Sequence, residues 1–171
     1  MGQTPNIWSE EFKAQALFRI DESIRMLEIC RERIPADQFW LRPNAASNSV
    51  GNLLLHLSGN IRQYVISGLG GIPDTRQRDA EFEDCSIEPE RVWQAFSETV
   101  AEARIVIRQA RESELLEERN VQGFRMSGLG MVLHAVEHLS YHTGQIAYSI
   151  KAWMNTDLGF YDGIDLTIKN S

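Results

Sequence analysis

Four long stretches of this chain carry apolar residues at every third or fourth position, and each is bounded by residues that stop a helix. The first runs from Trp8 to Ile34. In it Ala14, Leu17, Ile20, Ile24, Leu27 and Ile34 recur between charged residues, and Pro35 ends it. A loop from Phe39 to Asn48 follows. Asn48 or Ser49 then caps a second helix, because either side chain accepts from free backbone N–H groups. Val50, Leu53, Leu54, Leu57, Ile61, Tyr64 and Val65 form its stripe, and Gly68, Gly70, Gly71 and Pro73 end it. Ser86 caps a third helix, with Pro89 in its first turn. Val92, Trp93, Phe96, Val100, Ala103 and Ile107 stripe that helix until it fades near Glu112. An irregular stretch reaches Ser127, and a fourth helix spans Ser127 to Met154. Strand-like alternation is scarce.

Helices of this length and pattern predict an all-α four-helix bundle. The charged connection from Ile72 to Cys85 is long enough to be a crossover between the second and third helices, departing from strict up-down order. The tail, 155–171, is rich in Gly and Asp, with Phe160 and Tyr161 as docking anchors.

A chain of 171 residues suits one domain over 1–171, and its 43% apolar content supplies a core and excludes wholesale disorder. The net charge of −7 argues against nucleic acid or an anionic membrane as partner, since both need a basic face. No apolar run approaches the roughly 20 residues of a membrane span. Met1 to Asn6 lacks the basic and apolar blocks of a signal peptide, and Asn6 stands where a myristoylation signal needs Ser or Thr. Cys30 and Cys85 make neither a disulfide framework nor a C-x-x-C pair, and read as reduced thiols. The expectation is a cytoplasmic protein.

The chain has 4 histidines, and His134, His138 and His142 lie one helical turn apart. At about 100° per residue, His142 falls near +40° and His134 near −40° of His138, with Gln145 between His138 and His134. Val132, Val136, Leu139, Ile146 and Ile150 occupy roughly +80° to +160°, so the histidines border the core stripe with His142 closest to it. A pair at i and i+4 is a geometry that a metal accepts with little strain. His56 borders the stripe of the second helix, with Asn52 and Asn60 beside it. If the two helices are neighbours, His56 meets a pair from the fourth, and three neutral imidazoles with an open position form a common catalytic metal site. Any one of these histidines alone is ordinarily a hydrogen-bonded helix residue. Glu137 falls near −100° and reads as a solvated charge, with no H-E-x-x-H to make it a general base.

Other signals are weaker. No G-x-S-x-G or P-loop pattern is present, and Gly68 to Gly71 reads as a helix end, not a phosphate cradle. The Arg76, Arg78, Asp79 and Glu81 cluster reads as a solvated loop, or alternatively as a lid or clamp for a substrate anion. Trp40, Trp93 and Trp153 read as core or dimer-interface anchors.

Two segments carry a resemblance: N-L-L-L-H-L-S-G-N at Asn52 to Asn60, and E-H-L-S-Y-H-T-G-Q-I at Glu137 to Ile146. With Trp40 to Asn44, Ser47 to Ser49, Arg62-Gln63, Gly70-Gly71, the Asp74 to Phe82 loop and Gly159 to Tyr161, the chain resembles an uncharacterised branch of the DinB-like (DNA-damage-inducible) superfamily from about Trp8 to Tyr161. The resemblance implies a four-helix bundle in which His56, His138 and His142 hold a divalent metal such as zinc or nickel. His134 matches no ligand of that family and is left as pocket wall, surface or ligand support. Asn60 and Gln145 are candidates for orienting a metal-bound group. Characterised relatives include bacillithiol S-transferases and a mycothiol-dependent maleylpyruvate isomerase. By resemblance the protein is therefore a metal-dependent enzyme acting on a small molecule, with a low-molecular-weight thiol as a further cofactor and a homodimer as its assembly. The rival reading is a non-enzymatic metal-binding bundle acting as a stress-linked binding or dimerisation module.

Overall fold

The computed structural model describes residues 7–83 and 87–170, so the Ser86 cap and Cys85 lie outside the described residues. Its helices are α1 (Ile7–Arg33), α2 (Val50–Ile61), α3 (Pro89–Gln109), the short α4 (Glu112–Leu116) and α5 (Gly128–Met154). Ser49 caps α2, its hydroxyl accepting from Asn52 N while Asn52 Oδ1 accepts back from Ser49. Ser127 caps α5 in the same way, accepting from Gly130 N. The residue flanking α3 is Glu88, and Pro89 opens the helix where its missing N–H costs nothing. Beyond Ile61, α2 continues as a π-helix from Arg62 to Leu69.

Contacts between helix ends give the directions. Arg31 near the end of α1 pairs with Glu90 near the start of α3, and Lys13 near the start of α1 reaches Arg108 O and Ala110 O at the end of α3. The two helices are therefore antiparallel. His56 and Asn60 of α2 meet His138 and His134 of α5, again antiparallel. Glu81 O and Glu83 O accept from Asn52 Nδ2 at the start of α2, so the linker after α2 runs back along it, and α3 sets out parallel to α2. This is the crossover between the second and third long helices, and the architecture is the all-α bundle the periodicity predicts.

The stripes of α2, α3 and α5 are buried as read except for half-buried Val136, with Leu54, Leu57, Ile107, Ile146 and Ile150 fully enclosed. The face of α1 is corrected. Ala14 is exposed, and the inward row is Ser9, Lys13, Ala16, Ile20, Ser23, Leu27 and Cys30. Lys13 is tolerated there because its ammonium donates to the free carbonyls that end α3.

The irregular stretch before Ser127 is also corrected. It holds α4 and an antiparallel hairpin, β1 (Glu118–Val121) and β2 (Phe124–Ser127). Its turn is Gln122-Gly123, both at positive φ (51° and 82°), which Gly123 supplies without a Cβ clash. In the tail, Leu158 and Phe160 pack on the core and Arg25 Nη1 donates to Phe160 O at 2.9 Å, whereas Tyr161 is largely exposed. No helix among the described residues is long and apolar enough to cross a membrane.

Candidate metal centre

His56 projects from the middle of α2, while His138 and His142 sit one turn apart on α5, which packs antiparallel against it. One ring nitrogen from each of the three lies within 4.8 Å of the others. His56 and His142 are buried and His138 is half-buried. The rings stand edge to face, with centroids 4.9 Å apart for His56 and His138, 5.1 Å for His56 and His142, and 4.5 Å for His138 and His142.

Hydrogen bonds fix two tautomers. His56 Nδ1 lies 2.8 Å from Glu81 Oε2, and His142 Nδ1 lies 2.6 Å from Gln145 Oε1. A carboxylate oxygen and an amide oxygen accept only, so both histidines carry a proton on Nδ1, which leaves Nε2 as the nitrogen available to a ligand. His56 Nε2 faces His138 Nε2 at 2.9 Å, a separation that needs a proton or a cation between the two nitrogens. Burial, reinforced by His142, His56 and His134, pushes His138 down to about 3. Burial also lowers His142, opposed in part by its bond to Gln145. Both rings are therefore neutral at physiological pH, which is the ligand form. Three imidazoles that bring one ring nitrogen each within 4.8 Å of the others fit a first-row divalent ion.

The other candidate residues lie around this trio, each with contacts of its own. Asn60 Nδ2 donates to His134 Nε2 at 3.1 Å, while Asn60 Oδ1 is buried with no hydrogen-bond partner. The His134 ring stacks on Tyr64 at 4.0 Å, outside the trio. Gln145 Oε1 is bonded to His142, and its Nε2 donates to Tyr141 Oη at 3.2 Å. Glu137 is exposed.

The loop before α3 departs furthest from expectation. Glu81 is 8% exposed, and its carboxylate takes Arg76 Nε at 2.7 Å and Arg76 Nη2 at 2.8 Å. Burial by itself would raise the Glu81 pKa, but the bonds from Arg76 and His56 outweigh it and keep the group below its usual value. Arg76 Nη1 donates to Gln63 Oε1, so this guanidinium is committed inside the protein and is not an anion clamp. The sequence offered one unread signal for this burial: Gly59, whose missing Cβ leaves room for the pair on α2. The ring of Phe82 packs against His56 at 4.9 Å, and the Arg78 guanidinium lies over the same ring, 5.2 Å from its centroid.

The sequence model described as DinB family matches residues 19–165. Among solved structures, the chain is similar to a DinB-like protein from Bacillus cereus, with a TM-score of 0.63 at 11% identity, over 84% of this chain and 91% of that one. At that identity the likeness is one of fold. None of the curated proteins matches the sequence.

Proposed function

The chain belongs to the DinB family, and from that premise we propose that His56, His138 and His142 hold a divalent metal ion at a centre that activates a thiol or a water molecule for transfer or hydrolysis. The observation that carries this reading is the meeting of three ring nitrogens from α2 and α5 within 4.8 Å. A zinc or nickel ion on such ligands lowers the pKa of a coordinated thiol or water and supplies the anion as nucleophile. The protein's own part is to present and orient. His56 and His142 keep a proton on Nδ1, so Nε2 would be the atom each gives to the ion. Three ligands leave a position for a bound group. Asn60 Oδ1, a buried acceptor without a partner one turn from His56, would accept a hydrogen bond from that group. The substrate is a small molecule, a low-molecular-weight thiol serves as cofactor where the reaction is transfer, and the assembly is a homodimer.

Elemental analysis of protein expressed in metal-supplemented medium tests the centre. We expect close to one equivalent of metal, and less than about a tenth of an equivalent would refute it. Light scattering tests the dimer, and a monomer at micromolar concentration removes it. A loaded protein that leaves a model electrophile and thiol unreacted would favour the non-enzymatic module.

A further inference from the structure

A buried arginine–glutamate pair on a surface linker is costly to desolvate, and such pairs are weak evidence of stability in their own right. Here the pair sits on a metal-centre candidate. We propose that Glu81 is the positioning carboxylate of His56, delivered by the linker and locked by Arg76; this deepens the metal reading above and rests on it.

Four observations converge. Glu81 Oε2 meets His56 Nδ1 at 2.8 Å although the two residues are 25 apart in sequence. Arg76 holds both carboxylate oxygens, one through Nε and one through Nη2, so the carboxylate cannot rotate away from the ring. The Arg76 side chain is 3% exposed. Its Nη2 also lies 3.1 Å from His56 Nδ1, but two N–H donors cannot bond each other, so both are held by the shared acceptor Oε2.

Gly59 supplies the room. A Cβ there would fall 2.0 Å from Glu81 Oε1 and 2.9 Å from Arg76 Nε. Asn52 Nδ2 then ties the backbone down, donating to Glu81 O and Glu83 O at 3.1 Å each. A ligand histidine whose second nitrogen donates to a carboxylate has its tautomer and ring plane fixed and its basicity raised. Because Arg76 balances the charge of Glu81, that orientation adds no net charge beside the ligands. The linker is thus a third structural element of the centre.

The test uses the full chain with Co2+ as probe, following affinity and the visible absorption band, with circular dichroism as the control for folding. Glu81→Gln should weaken Co2+ binding about 10-fold and Glu81→Ala up to about 100-fold, with helicity retained. Gly59→Ala should also weaken binding by displacing the carboxylate, although Gly→Ala in a helix ordinarily favours the helix. In the metal-free wild type, 15N shifts of His56 should report a proton on Nδ1. Tight wild-type binding with unchanged affinity and band in Glu81→Gln overturns the positioning role alone, and so does a wild-type His56 protonated on Nε2. That last measurement decides the matter even if the Glu81 variants fail to fold. A wild type that binds no Co2+ overturns the metal reading and this proposal together.

Discussion

The α2–α5 interface repeats itself one turn apart, and the two repeats end differently. At one level His56 faces His138, nitrogen to nitrogen, with His142 closing the group. At the next level Asn60 faces His134, and the histidine is already satisfied: its Nε2 accepts a hydrogen bond from Asn60 Nδ2 and its ring is covered by Tyr64. Helix pitch alone does not separate these levels, since His134, His138 and His142 are evenly spaced. What separates them is the partner on α2. A histidine partner adds another lone pair, whereas an amide partner ends the network in a hydrogen bond. The lesson is that a ligand set is chosen by the facing helix, not by the helix that carries most of it.

The largest effect that could break this contrast is on metal affinity. His138→Ala should lower zinc binding by more than about 100-fold, while His134→Ala should leave it within about 3-fold. Calorimetric titration of both variants checks this, and equal losses would erase the distinction. Next comes stability. Tyr64 is fully buried, so Tyr64→Ala should cost about 3–5 kcal/mol in chemical denaturation while the remaining trio still binds metal. A loss of metal with the fold intact would join the two levels into one site.

Acid sharpens what the levels share. Burial lowers His134, and it lowers His138 to about 3 from an ordinary 6.5. Between those limits the unfolded chain binds protons that the folded chain does not, so stability rises with pH across the window and is lost as pH falls from about 6.5 towards 3. Thermal melts of chelator-treated protein should show Tm falling over that interval, and a flat profile would contradict the burial of these rings. The smallest effect belongs to the hydroxyl of Tyr64, which donates to Gln122 Oε1 at 2.8 Å. Tyr64→Phe should cost about 1 kcal/mol and leave zinc affinity unchanged.

Much of this was legible in the sequence because it depends on near neighbours. Free N–H groups at a helix start call for a residue such as Asn48 or Ser49, of which Ser49 caps α2, and for Pro89 in the first turn of α3, while spacing gives the α2, α3 and α5 stripes. The stripe positions bring His56 to a pair of histidines on α5, and the family resemblance is what singles out His138 and His142 over His134. The misses depend on distant residues. Spacing puts Ala14 inward, whereas Lys13 takes the buried place because of the carbonyls of Arg108 and Ala110, which nothing local to α1 announces. Strands of four residues are too short to show alternation, so the hairpin was hidden. The burial of Glu81 needed Arg76, His56 and the space at Gly59 together, whereas charge density alone pointed the loop to solvent.

The linker between α2 and α3 also decides how the centre divides when the chain is cut. Its first residues, Gly71 to Pro73, are exposed. A nick there leaves His56 and Gly59 on the N-terminal fragment and Arg76, Glu81, His138 and His142 on the other. The site then becomes a joint between two separate chains, and a bound ion becomes the rivet that fastens them.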